Sequence, residues 1–228
     1  MAIIITGASE GIGLAIAKRF EDEGQKVIIS SRSSKKLNDA IENAKLKNAV
    51  AVECDVTKEE DVKNLVSIAK KEESIDAVIF NAGLGFFKAV TDFSEEDYDK
   101  IMDTNVKGVF FGFKHFIPLL KSQNKGQFIT ISSMASKATF NGGNVYCASK
   151  AAVSSLAANV KMELRDTKVK SAVICPGSVE TEFFAKAGAQ PGKSRILTVK
   201  EVASSAFNVY AQGVSSDIDE IFLRPALR

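Results

Sequence analysis

The sequence predicts an α/β fold with a doubly wound parallel sheet of about seven strands and helices on both faces. Short runs rich in Ile and Val alternate with longer amphipathic segments along the 228 residues. The first run leads directly into a glycine-rich turn and a helical pattern. Strands that are apolar throughout are typical of parallel sheets covered on both faces, and right-handed crossovers place helices on each side.

The elements follow one another without an internal repeat or a linker, so residues 1–228 are predicted to form a single domain. The strand patterns are AIIIT, KVIIS, AVAVEC, DAVIF, GQFITIS, VKSAVIC and EIFLR. Helices are expected at about 12–23, 34–44, 58–71, 95–121, 145–164 and 199–211. A segment rich in Gly, Ala, Lys and Pro interrupts this alternation, and we expect a short substrate loop at about 182–198.

Composition excludes several classes of protein. The chain is 45% hydrophobic and 25% charged, as in ordinary globular proteins, and its net charge of +2 is too small to indicate a nucleic-acid groove or a membrane surface. Three widely spaced cysteines match no metal-ligand pattern, so we expect no metal site and three buried thiols in a reducing cytoplasm. A strand pattern from residue 2 makes a signal peptide unexpected.

The turn after the first strand is suited to an anion. Gly7, Gly11 and Gly13 let the backbone turn tightly and approach a ligand closely. The helix that begins near Gly11 directs its free N–H groups and the positive end of its dipole toward that ligand. A strand, a glycine turn and a helix in this order indicate a Rossmann-type fold that binds a dinucleotide pyrophosphate.

The turn after the second strand indicates which dinucleotide. An acidic residue in this place accepts a hydrogen bond from the adenosine 2′-hydroxyl of NAD(H). The chain instead has Ser31 and Arg32, with two lysines close behind. Because a guanidinium binds a 2′-phosphate through paired charge-assisted hydrogen bonds, the sequence favours NADP(H), with NAD(H) as the weaker candidate.

One tyrosine and one lysine lie in the otherwise small and apolar stretch NVYCASKAAV. Tyr146 and Lys150 are four residues apart and therefore share one face of the predicted helix. By itself this spacing is equally compatible with a packing helix and with a site that transfers protons.

Taken together, the motifs resemble the short-chain dehydrogenase/reductase family over almost the whole chain. Seven features of the family occur in this chain in the family's order. They are TGASEGIG at residues 6–13, the N-A-G motif at residues 81–83, Asn105, Ser133, the Tyr146/Lys150 pair, P-G at residues 176–177, and Thr181. Asp55 in CDVT corresponds to the family's adenine-contacting aspartate. Any one motif is common, but seven in order are specific.

The resemblance implies an oxidoreductase with four catalytic residues. Tyr146 would transfer the proton, and Lys150 would lower the pKa of Tyr146 and bind the nicotinamide ribose. Ser133 would hold the substrate oxygen, and Asn105 would fix a water linking Lys150 to solvent. The expected cofactor contacts, besides Tyr146 and Lys150, are Gly7, Ser9, Glu10, Gly11, Ile12, Gly13, Ser31, Arg32, Asp55, Val56, Asn81, Ala82, Gly83, Pro176, Gly177, Val179 and Thr181.

Three departures from the family pattern stand out. Glu10 occupies a position where NADP-preferring members often carry a basic residue, and Phe80 replaces the first asparagine of N-N-A-G. The sequence DIDEIFLRPALR lacks the usual V-D-G-G ending. We still expect a homodimer or homotetramer, with the helices from residues 95 and 145 pairing between subunits.

The expected substrate is a small carbonyl compound or its alcohol. Phe86, Phe87, Phe140, Phe183 and Phe184 are candidate walls of an apolar pocket, although core packing is an equally good interpretation of any single one. Two other functions remain open: an epimerase or dehydratase on the same fold, and a non-catalytic protein that senses NADP(H). The presence of all four catalytic side chains favours the oxidoreductase.

Overall fold

A computed structural model describes residues 1–188, 196–213 and 215–226. The strands of these residues form one parallel sheet in the order β3-β2-β1-β4-β5-β6-β7. They are β1 (Ala2–Thr6), β2 (Lys26–Ser31), β3 (Ala49–Glu53), β4 (Ile75–Phe80), β5 (Gly126–Ile131), β6 (Val169–Pro176) and β7 (Glu220–Leu223). The predicted doubly wound α/β fold is confirmed, and each strand lies within one or two residues of its expected position.

The helices also follow the predicted order. They are α1 (Gly11–Asp22), α2 (Ser34–Ala44), α3 (Glu59–Ala69), α4 (Glu95–Met102), α5 (Gly108–Gln123), α6 (Asn144–Leu164), α7 (Phe183–Lys186) and α8 (Val199–Tyr210). Of the expected substrate loop at about 182–198, residues 189–195 lie outside the described part of the chain. Among the described residues, no helix combines the length and the apolar character that crossing a membrane requires.

Alternate residues of the five central strands, β2, β1, β4, β5 and β6, pack into two hydrophobic layers. Ile4 of β1 joins the layer that holds Phe80, Phe113 and Phe128. Ile3 and its neighbours on the opposite face join the layer that holds the residues of α1 and α8. Because both faces of a strand are buried, its sequence is apolar throughout rather than alternating. This two-sided burial is the physical origin of the Ile and Val runs.

The predicted single helix over residues 95–121 is wrong in one respect. A π-helical turn, Asp103–Lys107, lies between α4 and α5. A π turn inserts one extra residue into the helical path and is common at functional sites. It contains Asn105, whose side chain is buried against Leu84 and Ser149. These long-range hydrogen bonds favour the widened turn, and hydrophobic periodicity does not report them.

The carboxyl ends of β1 and β4 are tied together where the strand order reverses. Thr6 Oγ1 accepts hydrogen bonds from the backbone N–H groups of Asn81 and Ala82, at 3.1 and 3.2 Å. The Asn81 side chain donates in return to the carbonyls of Thr6 and Gly7, both at 3.0 Å. Ligands of doubly wound folds bind in the crevice at such a reversal, so these bonds hold the walls of the expected site.

Candidate active site

The amino terminus of α1 is built to receive an anion. Ser33, Ser94 and Thr198 cap helices α2, α4 and α8 with their side chains, whereas α1, like α3 and α6, has no side-chain cap. The residue before α1 is Glu10, which makes no such bond, and the first turn of α1 contains no acidic residue. The N–H groups of this turn are thus left for a ligand, and a dinucleotide pyrophosphate supplies the negative oxygens they require.

Two glycines of this turn are required by geometry. Gly7 has φ +64°, and a Cβ added there would lie 2.6 Å from the Cα of Ala82. A Cβ at Gly13 would lie 2.5 Å from the Asn81 side-chain nitrogen and 2.6 Å from the Gly7 carbonyl oxygen. No larger residue fits either position, so the turn packs directly on the N-A-G segment after β4.

The expected adenosine end of the site lies where β2 and β3 end. Arg32 is exposed and forms no ion pair among the described residues, whereas nearby Lys35 is paired with Asp39. Asp55 turns back on its own loop, where Oδ1 accepts from the N–H and the hydroxyl of Thr57 at 3.0 and 2.8 Å. The backbone after Asp55 is therefore held in one conformation beside the crevice.

Tyr146 and Lys150 are both buried in the first half of α6. Lys150 Nζ donates to the carbonyl oxygen of Ile131 at 3.1 Å, at the end of β5. It also lies 5.9 Å from the centre of the Tyr146 ring. The helix thus presents the pair to the strand ends, as the four-residue spacing predicts.

Burial shifts the pKa values of the pair in opposite directions. Desolvation raises the pKa of Tyr146 from 10 to about 12, and a hydrogen bond with Ser133 partly offsets this rise. Desolvation lowers the pKa of Lys150 from 10.5 to about 8. Burial of the phenol thus acts against the expected lowering of the tyrosine pKa by Lys150, and that role of Lys150 stays a prediction.

Asn105 is fully buried and makes three hydrogen bonds. Its Oδ1 accepts from the N–H of Leu84, and its Nδ2 donates to the Leu84 carbonyl, both at 2.8 Å. The same Nδ2 donates to the Ser149 hydroxyl at 2.9 Å, and that hydroxyl donates to the Tyr146 carbonyl at 2.7 Å. A Cβ built on Gly83 would lie 3.2 Å from Asn105 Oδ1 and 3.4 Å from Lys150 Nζ. Asn105 Oδ1 and Lys150 Nζ therefore both lie close to Gly83.

Two adjacent serines follow β5 and have different surroundings. Ser132 is buried, and its hydroxyl bonds the Lys150 carbonyl at 3.1 Å and the Ser154 hydroxyl at 2.8 Å. Ser133 is only partly buried; its hydroxyl donates to the carbonyl of Pro176 at 3.5 Å and accepts from the N–H of Ala135 at 3.1 Å. Ser132 therefore anchors α6, while Ser133 lines the same cavity as Tyr146, and the choice of Ser133 from the motif spacing stays a prediction.

A cavity of about 510 Å³ opens in front of Tyr146 and Ser133. Part of its lining is the segment after β6 that was expected to contact nicotinamide, together with Ile12 from α1. That segment comprises Pro176, Gly177, Ser178, Val179 and Thr181. Phe87, Phe140, Phe183 and Phe184 form an aromatic wall, as expected for these four, but Phe86 does not line the cavity.

Comparison with known proteins now identifies the family. The family model described as short chain dehydrogenase matches residues 1–192. The chain belongs to the short-chain dehydrogenase family. It is an oxidoreductase of that family, and the motif resemblance is confirmed.

Relatives and solved structures agree with this assignment. An uncharacterized oxidoreductase of Listeria innocua is 34% identical over 221 residues, which cover 94% of this chain and 85% of the relative. Another from Staphylococcus aureus is 30% identical over 97% of this chain and 96% of the relative. An alcohol dehydrogenase of Thermococcus sibiricus complexed with 5-hydroxy-NADP has a TM-score of 0.88 at 28% identity, covering 99% of each chain. The closed form of a serine dehydrogenase complexed with NADP+ has a TM-score of 0.92 at 28% identity, covering 99% of this chain and 95% of the other.

Sequence reasoning missed three residues that support this short-chain dehydrogenase site. Ser149 and Leu84 connect Asn105 to the rest of the site. Gly85 lies against the ring of Tyr146, since an added Cβ would be 2.8 Å from Tyr146 Cδ2. The position of Ser149 between Tyr146 and Lys150 is a weak signal that could have been read, but nothing in the local sequence marks Leu84.

The burial of Lys150 predicts a pH-dependent effect on stability. Between pH 8 and 10.5 the unfolded chain keeps the lysine proton and the folded chain loses it, so the contribution of Lys150 to stability rises with pH in this window. Replacing Lys150 by Met removes that dependence. The test is urea denaturation of the two unliganded proteins between pH 8 and 10.5. The free energy of unfolding of the wild type, relative to that of Lys150→Met, should increase by up to about 3 kcal/mol over this range.

The control is Lys36→Met, at an exposed lysine of α2. Its free energy of unfolding should differ from that of the wild type by a constant amount at every pH. A constant difference for Lys150→Met as well would show that the Lys150 ammonium is not desolvated.

Proposed function

We propose that the protein is an NADP(H)-dependent oxidoreductase that interconverts a ketone or aldehyde and the corresponding alcohol. The observation that carries this proposal is the convergence of the Tyr146 phenol and the Ser133 hydroxyl at one wall of a cavity bounded by the segment 176–181. A carbonyl oxygen in that cavity can meet both hydroxyl groups. The second wall lies where the nicotinamide of a dinucleotide on the glycine turn would reach.

The residues present fit this cofactor. The uncapped amino terminus of α1 would hold the pyrophosphate, Arg32 the 2′-phosphate, and the backbone around Asp55 the adenine. Lys150 would bind the nicotinamide ribose, and the segment 176–181 the nicotinamide amide. When bound, NADPH supplies the hydride that adds to the carbonyl carbon.

The protein's own groups then handle the substrate oxygen and the proton. The Ser133 hydroxyl holds the carbonyl oxygen next to the phenol. The pKa of Tyr146 is raised to about 12, so the phenol is protonated at neutral pH, which is the form a proton donor needs. An alkoxide is a far stronger base than a phenolate, so transfer of this proton is favourable. Lys150 and the hydrogen-bonded groups around Asn105 would then return a proton to the Tyr146 phenolate through water.

The preference for NADP(H) rests on the charges near the adenosine end. Arg32 is exposed and forms no ion pair with any described residue, so its guanidinium is available for a phosphate. Glu10, the departure that would repel a phosphate, forms an ion pair with Lys186 of α7. This pair offsets the negative charge of the carboxylate. The NADP derivatives bound in the two similar solved structures support the same choice.

The competing functions are separable by experiment. Mixing the protein with NADPH and a panel of carbonyl compounds, and following the absorbance of NADPH, tests turnover. Tight cofactor binding without turnover of any substrate would favour the sensor, and a change in the substrate without net consumption of NADPH would favour an epimerase or dehydratase.

Assembly as a homodimer or homotetramer and a cytoplasmic location remain predictions. Sedimentation velocity tests the predicted assembly.

Removing the proton donor should abolish turnover without loosening the cofactor. We expect Tyr146→Phe to lower kcat by about 10²- to 10⁴-fold, because the hydroxyl is lost while the ring packing is kept. The affinity for NADPH, measured by fluorescence titration, should stay nearly constant. Tyr98→Phe, a matched change at an exposed tyrosine of α4, should leave both quantities unchanged. Retained activity in Tyr146→Phe would remove Tyr146 as the acid.

Reversing the charge at Arg32 should reverse the cofactor preference. We expect Arg32→Asp to shift the ratio of kcat/KM for NADPH to that for NADH by roughly 100-fold toward NADH, because the phosphate loses its charge-assisted bonds and meets a carboxylate. Arg165→Asp, on an exposed arginine at the far end of α6, makes the same charge change and should not alter the ratio. An unchanged ratio in Arg32→Asp would place 2′-phosphate recognition elsewhere.

A further inference from the structure

We propose that the substrate is an uncharged carbonyl compound with an aryl ring attached to the carbonyl carbon. This inference rests on the proposed function and names the substrate class of the same site. Two properties of the cavity carry it: the arrangement of its aromatic wall and the absence of ionisable side chains, other than the phenol of Tyr146, among the described residues that line it.

The aromatic wall is organised around Phe87. Its ring lies edge to face with Phe140 at 5.1 Å between ring centres and with Tyr146 at 5.5 Å. The rings of Phe183 and Phe184 lie 6.0 and 6.1 Å away. Aromatic pairs at such distances prefer edge-to-face or offset geometry and gain attraction beyond the area they bury. A flat ring entering the cavity beside Tyr146 therefore meets several rings that can extend the same packing.

The wall is fixed in position before any ligand arrives. The N–H of Phe87 donates to the carbonyl of Ala187 after α7, and the N–H of Lys88 donates to the carbonyl of Gly142, both at 3.0 Å. Leu84, three residues earlier, is bonded twice to Asn105. The loop that carries Phe87 is thus held at both ends, so little ordering is required when a ring binds.

The aromatic wall is also incompletely covered. Phe140 is 44% exposed although its ring packs against Phe87. Phe183 and Phe184 are only partly buried. Large exposed aromatic side chains grouped at the wall of a cavity indicate a surface that an apolar ligand covers.

The polar side chains on the described part of the cavity lining are uncharged at neutral pH. Among the described lining residues, the polar side chains are the hydroxyls of Ser132, Ser133, Thr139, Tyr146, Ser178 and Thr181 and the amide of Asn141. A substrate carboxylate placed there would lose its hydration without gaining a cationic partner, which is costly. The serine dehydrogenase of similar fold acts, by its name, on an amino acid, and this cavity argues against such a substrate here.

The chemistry is that of the proposed reaction. The C=O double bond of an aryl ketone is reduced to a C–O single bond, with one hydride added to carbon and the Tyr146 proton added to oxygen. The product is a benzylic alcohol. The aryl ring points toward Phe87 and lies outside the bonds that change.

Three ketones of similar size separate the contributions. Acetophenone carries an aryl ring, methyl cyclohexyl ketone a saturated ring, and benzoylformate an aryl ring with a carboxylate. With NADPH, we expect kcat/KM for acetophenone to exceed that for methyl cyclohexyl ketone by about tenfold. This is the attraction that two aromatic ring pairs add beyond the area they bury. It should exceed that for benzoylformate by at least about 100-fold, because the carboxylate meets no cationic side chain among the described residues of the lining. Calorimetry on the NADP+-loaded Tyr146→Phe variant, in which turnover is suppressed, should rank 1-phenylethanol above 1-cyclohexylethanol by affinity.

Phe87→Leu tests the wall directly, and the chain offers a matched control. The variant keeps apolar volume but removes the ring, so the acetophenone to cyclohexyl ratio should fall toward one while NADPH affinity stays constant. Phe86→Leu changes the same residue type one position away, outside the cavity lining, and should keep the wild-type ratio.

The outcomes distinguish this inference from the proposed function. Equal activity on the two neutral ketones, a preference for benzoylformate, or efficient oxidation of serine would overturn the aryl assignment while leaving the oxidoreductase intact. An unchanged ratio in Phe87→Leu would also overturn it. Failure to reduce any carbonyl compound would instead contradict the proposed function.

Discussion

The buried amide of Asn105 is the interaction on which the site geometry depends. It joins the π-helical turn before α5, the loop after β4 and helix α6 through three hydrogen bonds. With Leu84 fixed in this way, Gly85 can lie against the Tyr146 ring and Phe87 can form the aromatic wall. Leaving a buried amide without its partners is costly, so the three elements are held as one unit.

Burial also determines the electrostatics of the site. Tyr146 and Lys150 are both removed from water, and each is shifted toward its neutral form. A neutral phenol is suited to donating a proton to a reduced carbonyl oxygen. The reverse reaction requires the phenolate, whose formation depends on added positive charge in the cavity. Under the proposed function, the unliganded protein holds the protonated phenol that carbonyl reduction needs.

Most of the fold was predictable because a strand that is buried on both faces has a continuous run of apolar residues, as the Ile run of β1 shows. The glycine turn and the Tyr146/Lys150 spacing were likewise predictable, since each reflects local geometry. The π turn around Asn105 was not, because hydrogen bonds to Leu84 and Ser149, distant in sequence, favour it. The burial of the Tyr146 phenol was also not predictable, because the spacing gives the neighbour on the helix but not the loss of hydration.

The acidity of Tyr146 tests the central claim most directly, and the chain's three tyrosines make it accessible. Tyrosine labelled with ¹³C at Cζ can be followed by NMR across a pH titration, with Tyr146→Phe assigning the signal. In the unliganded protein the pKa should lie near 12, and saturation with NADP+ should lower it. A pKa at or below 10 in the unliganded protein, or no response to NADP+, would contradict a phenol kept protonated by burial and tuned by its ligand.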